Sequence, residues 1–412
     1  MSVSLSVGTE KLKKAFSFSA LESIGSRVFD IVTLWLILNS LQGEDLVNFG
    51  LATSTIFIFN FFLISPETSL LRKQKEWESE GRLESYITTF ASFSILKIAF
   101  HYIAIIILFL NYGELNWIIY AVVFSAATQQ IQSAEIVRIF MRMNLRQKEV
   151  LRLEIFTKSA LCLSCLYLFI QPNVSVYFLI YLLWSLLAVL VWWLVALKSV
   201  SFTRQSVNIF INNLKDSVVG FSLWSHLVGV ISYFVYNSNL LFMKYYSFPT
   251  DTLALFTSIT KVSNLFFVIP MFFQSFVPVL LSNSGDEKSF NRLQLACSGF
   301  ALVQFLIFLI FGKYLGLVFG VSQEYIDTFF KLGIWVNAGI LLLNLTRPMA
   351  TYIIIRKKPS ALLWYVSLPT AVSTLFLYPL YIEYFDIYGA VYASFSVFLI
   401  MSMLILLRYS RK

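Results

Sequence analysis

The 412-residue chain is 58% hydrophobic and 17% aromatic but only 13% charged, with a mean hydropathy of +0.75. Soluble domains carry about 25% charged residues, so this composition excludes a soluble globular protein and specifies an all-α polytopic membrane protein. The formal charge of +9 does not indicate a nucleic-acid partner, because the basic residues are scattered between apolar runs instead of gathering into a patch.

The first apolar stretch, residues 15–41, reads AFSFSALESIGSRVFDIVTLWLILNSL. At ~1.5 Å per residue it can cross a bilayer core of about 30 Å. Lys11, Lys13 and Lys14 precede it without a short apolar core and cleavage site, so no cleavable signal peptide is expected. Glu22, Arg27 and Asp30 interrupt the stretch, and a charge at the centre of a spanning helix costs roughly 2.5–3.5 kcal/mol on insertion scales. Two readings follow. Arg27 and Asp30, three residues apart, neutralise each other within the bundle, or this helix forms the first wall of a polar transport cavity.

Eleven further runs are expected to be helices: 46–66, 85–111, 117–140, 153–171, 176–197, 218–243, 252–282, 293–312, 327–355, 360–382 and 387–407. Pro270, Pro278 and Pro348 make bending of the eighth and tenth runs the expectation. With the N-terminus placed inside, the cytoplasmic connections hold 22 Lys and Arg, while the outer connections hold only Lys244 and Lys313. The outer connections are acidic instead, with Glu44, Asp45, Glu114, Asp251, Glu324, Glu383 and Asp386. This asymmetry predicts an even number of spans with both termini cytoplasmic. Connection 198–218 separates six runs from six, giving lobes over 1–207 and 208–412 that enter the membrane in the same direction. Cys162 and Cys165 sit in an apolar helix and Cys297 opens another; without further ligands nearby, packing is favoured over metal or redox chemistry.

Within the runs lie the basic residues Arg27, Lys97, Arg138, Lys158, Lys261, Lys331 and Arg347, the acids Glu22, Asp30 and Glu135, and both histidines, His101 and His226. Lys158, Arg138 and Lys331 are near span ends and can snorkel to the interface; Arg27, Asp30, Lys97, His101 and Lys261 are deeper. The sequence has no Walker loop, H-E-x-x-H or G-x-S-x-G pattern, so neither an ATP-driven pump nor a metal- or cofactor-dependent enzyme is expected. Asn173-Val-Ser175 and Asn344-Leu-Thr346 match the glycosylation pattern but fall at a span end and inside a span.

The eighth run, LALFTSITKVSNLFFVIPMFFQSFVPVLLS, resembles the corresponding helix in the polysaccharide-transporter branch of the multidrug/oligosaccharidyl-lipid/polysaccharide (MOP) exporter superfamily. There a small or aromatic residue, a basic position and an I/L-P…P-x-L tail recur. Residues 63–72 (LISPETSLLR) close the second span as that family's second helix does, and residues 137–152 (VRIFMRMNLRQKEVLR) resemble its basic fourth-to-fifth connection. Residues 387–394 (IYGAVYAS) resemble its Y-G-A-x-G-A opening of the last helix, with Tyr392 where the second glycine is usual; looser helix packing is expected there.

Length and span number are similar to those of Wzx-type flippases, the O-antigen and lipid-linked oligosaccharide exporters. The resemblance implies two six-helix lobes around a central cleft, in the inner membrane. It implies a polyprenyl-pyrophosphate-linked oligosaccharide as substrate, with membrane lipids and polysaccharide-assembly proteins as partners, and ion coupling. Residue chemistry fits such a substrate. Arg27, Lys97, Lys261 and Arg347 can replace the hydration shell of a pyrophosphate, and Asn264 and Asn344 can hydrogen-bond sugars. For each lone Asn an interhelical hydrogen bond is the competing reading. Glu22, Asp30, Glu135 and His101 are the groups able to exchange coupling protons. Two alternatives remain open: a multidrug cation antiporter of the same fold, whose cleft should be acidic, and a polytopic polysaccharide polymerase, which needs a large outer loop. The longest outer connection, 312–326, is short and lacks histidine.

Overall fold

A computed structural model describes residues 2–61, 63–112, 116–144, 146–197, 202–268, 270–274, 277 and 287–411. Glu114 and Pro278 lie outside the described residues. Among those described, the secondary structure is helical without strands. The helices are α1 (Ser2–Ser40), α2 (Gly43–Asn60), α3 (Leu70–Ser79), α4 (Leu83–Tyr112), α5 (Trp117–Met143), α6 (Gln147–Cys165), α7 (Val174–Ala196) and α8 (Val207–Ser217). They continue with α9 (Leu223–Asn237), α10 (Asn239–Tyr245), α11 (Thr250–Asn264), α12 (Glu287–Val318), α13 (Ile326–Arg356), α14 (Pro359–Phe385) and α15 (Ile387–Ser410).

Among the described residues each of the twelve apolar runs contains a helix. Helices α4, α7, α12, α13, α14 and α15 are long and apolar enough to cross a membrane by themselves. The other runs carry charges or breaks. A π turn, Val218–Ser222, and a break at Ser238 divide the seventh run, and a 3-10 turn, Leu265–Phe267, follows α11. Polar residues start several helices. Asn116 accepts hydrogen bonds from the Ile118 and Ile119 amides, Asn173 from Ser175, and Ser206 from Ile209. Each supplies an acceptor to an otherwise unpaired helix N-terminus, so Asn173 of the glycosylation-like triplet is an N-cap.

The chain forms two compact units, Met1–Ile37 with Phe62–Leu223, and Leu38–Phe61 with Trp224–Lys412. In unit 1, α5 packs against α4 and α7. One core cluster gathers Leu70, Trp77, Tyr86, Ile87 and Phe90, with the Trp77 and Tyr86 rings stacked 3.8 Å apart. Another gathers Val137, Met141, Val150 and Trp192. Cys165 is fully buried.

Unit 2 takes in α2, which packs against α10 and α11. Gly50 permits this approach, since a Cβ there would stand 2.8 Å from Leu240 Cδ2. Helix α13 packs against α12, α11 and α15, and at Gly339 a Cβ would come within 2.7 Å of the Phe398 ring. Tyr392 stands where looser packing is expected. Its ring meets Trp335 edge-on at 5.0 Å, so an aromatic contact fills the space that a second glycine would have closed.

Candidate functional site

In unit 1 the charges within and beside the apolar runs form pairs. Arg27 Nη1 lies 3.2 Å from Asp30, as the three-residue spacing predicts, and Asp30 also accepts from Lys158 Nζ at 2.5 Å. Arg138, at the next level of the bundle, is hydrogen-bonded to both Glu135 and Glu154 and lies over the Trp192 ring at 5.1 Å. Arg142 is bonded to Glu22 and lies 3.9 Å from Glu135. Glu22 and Glu135 thus share one network that ties α1 to α5 and α6. These carboxylates leave water in exchange for charge-assisted hydrogen bonds.

Lys97 and His101 meet in a second buried group on α4. Lys97 Nζ is 3.4 Å from the Ile64 carbonyl oxygen and 3.9 Å from Glu67 Oε1. His101 Nδ1 faces the Lys97 carbonyl oxygen at 2.9 Å and Nε2 faces Ser125 Oγ at 2.7 Å. A carbonyl oxygen only accepts, so Nδ1 carries a proton, while Nε2 and the Ser125 hydroxyl share the second hydrogen bond.

Unit 2 differs. Lys261 Nζ on α11 donates to Thr53 Oγ1 on α2 at 2.6 Å and lies 5.5 Å from the centre of the Phe49 ring. Asn264, one turn on, closes α11. On α13, Asn337 donates to Ser263 Oγ at 2.9 Å, and Asn344 donates to the Phe266 carbonyl at 3.0 Å while its Oδ1 is buried without a hydrogen-bond partner. Arg347 donates to Gln274 Oε1 at 3.3 Å and stacks over the Phe267 ring at 4.2 Å, with Nε buried and unbonded. Arg347, Asn344, Gln274 and Phe267 form one cluster. Lys261 faces α2 instead, so the described contacts bring Lys261 and Arg347 to different neighbours. Neither cation has a carboxylate within salt-bridge distance among the described residues.

No family model matches the chain, and no curated protein matches it. Solved structures do. A MOP-superfamily transporter from Pyrococcus furiosus, whose reversed binding-pocket polarity suggests a different function, superposes with a TM-score of 0.66 at 14% identity over 95% of this chain and 94% of its own. An outward-facing multidrug-resistance MATE-family transporter of the same superfamily gives the same score, identity and coverage. The inward-facing conformation of such a transporter gives 0.61 at 14% identity, over 93% of this chain and 94% of the other. The chain therefore has the fold of these MATE-type transporters and is a multi-pass membrane protein.

Sequence reasoning missed several partners. Glu67 and Arg142 fall in the connections between apolar runs, and Lys158 is near a span end, so none of them stands out as a partner. Glu67 carried one local signal. It directly follows Pro66 at the end of the second apolar run, and the 3-10 turn Pro66–Ser69 carries it into the bundle, where it is buried.

Proposed function

We propose that the chain is a flippase that carries a polyprenyl-pyrophosphate-linked oligosaccharide from the cytoplasmic to the outer leaflet of the inner membrane, coupled to ion movement. One observation carries the reading. In unit 2 the half-buried cations Lys261 and Arg347 meet no carboxylate among the described residues, whereas Arg27, Lys97, Arg138, Arg142 and Lys158 of unit 1 all do. A cation held away from water without a counter-ion is costly, and an anionic substrate supplies what is missing. The amides beside it, Gln274 and Asn344, with Asn264 and Asn337 further along, offer hydrogen bonds suited to sugar hydroxyls.

The multidrug-antiporter reading draws on the MATE fold alone, and one fold hosts many functions. A cationic drug approaching Lys261 or Arg347 would meet like charge. Reversed polarity in the Pyrococcus furiosus pocket offers a parallel for such a departure within the fold.

The test is complementation of a strain that lacks the chain. Lys261→Ala and Arg347→Ala are scored for membrane abundance, surface glycan and lipid-linked precursor. Normal abundance with lost surface glycan and accumulated precursor is expected; full surface glycan in both variants refutes the proposal.

A further inference from the structure

Where α13 ends and α14 begins, unit 2 carries an open cavity of 470 Å³ lined by Lys357, Lys358, Trp364, Tyr365 and Arg408. Its walls follow from the local sequence. Pro359 starts α14 in the first helical position, where its missing amide costs nothing. Four residues later the helix widens into a π turn, Leu363–Ser367. Such insertions shift helical register and frequently mark functional positions. Here the turn carries Trp364 and Tyr365 outward, leaving them 58% and 60% exposed. Lys357 Nζ donates to the carbonyl oxygens of Arg408 at 2.8 Å, Tyr409 at 3.4 Å and Arg411 at 2.5 Å. It thereby caps α15 and fixes that helix end as the opposite wall.

The charge in the cavity is of one sign. Lys358 is exposed. The Arg408 guanidinium lies over the Tyr365 ring at 5.1 Å, and its Nε is buried without a hydrogen-bond partner. No carboxylate lines the cavity among the described residues. The cavity also stands where three spanning helices, α13, α14 and α15, begin or end. That level is the headgroup layer, where Trp and Tyr rings settle with one side in lipid and one in water. Basic pockets between spans at this level suit anionic lipid headgroups.

We propose that this cavity binds the phosphate-bearing headgroup of an anionic glycerophospholipid. Lys358 and Arg408 face the phosphate, and Trp364 and Tyr365 pack against the glycerol and the first acyl carbons. Lys357 acts through the wall it fixes, its ammonium being committed to the carbonyls of α15. The occupant belongs to the leaflet at the basic end of the chain, and the inference does not depend on what the protein transports.

The test places the full-length chain in phosphatidylcholine nanodiscs containing a minor fraction of phosphatidylglycerol, with one lipid or the other brominated along its acyl chains. Bromine quenches nearby tryptophan, and the difference between the chain and its Trp364→Phe variant isolates Trp364. Brominated phosphatidylglycerol is expected to quench Trp364 well beyond an equal fraction of brominated phosphatidylcholine. Lys358→Gln and Arg408→Gln are each expected to reduce that preference about five-fold, the effect of one cation at an anionic surface. Lys313→Gln, which removes a cation paired with Asp327, should leave it unchanged. Should Arg408→Gln fail to fold, the exposed Lys358 alone decides. Equal quenching by the two lipids, or an undiminished preference in Lys358→Gln, overturns the proposal. Displacement of the lipid by millimolar glycerol phosphate would reassign the cavity to a soluble phosphate ester and also overturns it.

Discussion

Lys97 Nζ stands 3.9 Å from a Glu67 carboxylate oxygen, with side chains 2% and 3% exposed, and the second Glu67 oxygen has no hydrogen-bond partner. The two charges are near enough to compensate each other but not hydrogen-bonded. Removing one partner of such a buried pair leaves an uncompensated charge, at a cost of roughly 3–5 kcal/mol, whereas removing both is often neutral. Lys97→Met is therefore expected to lower membrane abundance sharply, and Lys97→Met with Glu67→Gln to restore it. Quantitative blotting of membranes measures both. Normal abundance in Lys97→Met with export abolished would instead assign Lys97 to the substrate.

At one end of unit 1, Asp216 accepts from Lys73 Nζ at 3.1 Å and from the Tyr86 hydroxyl at 2.7 Å, joining α8 to α3 and α4. Burial pushes the Asp216 carboxyl up, but the hydrogen bonds from Tyr86 and Lys73 and the Lys73 charge outweigh it and hold the group below its ordinary range. A depressed carboxyl stabilises the fold fully above its unfolded pKa of about 3.9 and loses that contribution as pH falls through the lower folded value. The melting-temperature gap between the chain and Asp216→Asn should stay constant from about pH 8 to pH 5 and narrow below about pH 4. A gap that widens on acidification would contradict the assignment.

Orientation is tested by labelling. Lys148 and Asp251 are both exposed and fall on opposite sides of the membrane in the orientation that the Lys and Arg asymmetry predicts. In a background with Cys162, Cys165 and Cys297 replaced, Asp251→Cys should react with an impermeant maleimide in intact cells. Lys148→Cys should react only after permeabilisation. The opposite pattern inverts the topology and with it the proposed direction of transport.

Helical character and the short-range ion pairs are legible in the sequence because both depend on local spacing. Every apolar run contains a helix among the described residues, six of them long and apolar enough to span, and Arg27–Asp30 and Glu135–Arg138, three residues apart, form pairs. Lys158–Asp30 and Arg142–Glu22 were not legible, since their partners lie 128 and 120 residues apart and meet only when α1 packs against α5 and α6. Interruptions were hidden for another reason. The π turns at Val218–Ser222 and Leu363–Ser367 interrupt apolar sequence whose composition continues unchanged through them. Pairing within unit 1 also shifts attention among the candidate cations. Arg27 and Lys97 gain acids, while Lys261 and Arg347 keep none among the described residues.

Asp30 holds two cations at once, Arg27 at 3.2 Å and Lys158 at 2.5 Å. Removing its charge weakens both contacts, which ties the charge at this position to the packing of α1 and α6. Asp30→Asn is expected to slow net transport while leaving binding of the lipid-linked oligosaccharide intact. Asp30→Asn with Lys158→Met separates this from a structural role. A purely structural pair predicts low abundance in the single variant and repaired abundance with normal export in the double. A coupling role predicts an export defect that persists in the double at full abundance.

Arg347 sets stability against function. Its guanidinium rests on Phe267 at 4.2 Å and bonds Gln274 at 3.3 Å, with Nε buried and unbonded and no carboxylate in reach among the described residues. For the empty protein this is an unfavourable arrangement, because stacking on an aromatic ring contributes only ~0.5–2 kcal/mol against several kcal/mol for removing a charge from water. Methionine fills similar space, packs well against a ring and needs no counter-ion. Arg347→Met should therefore raise the melting temperature in detergent, by roughly 2–4 °C for each kcal/mol gained in a domain of about 200 residues. If Arg347 is kept to bind an anionic headgroup, the same variant should lose export, as functional residues held at a cost to stability do. Arg347→Lys should fall between, since an ammonium keeps the charge but loses the planar fork that binds phosphate oxygens in pairs. Thermal unfolding and surface-glycan display, measured on the same three proteins, decide the matter. A stabilised Arg347→Met with full export would remove Arg347 from the substrate path and leave Lys261 as the only cation carrying the proposal.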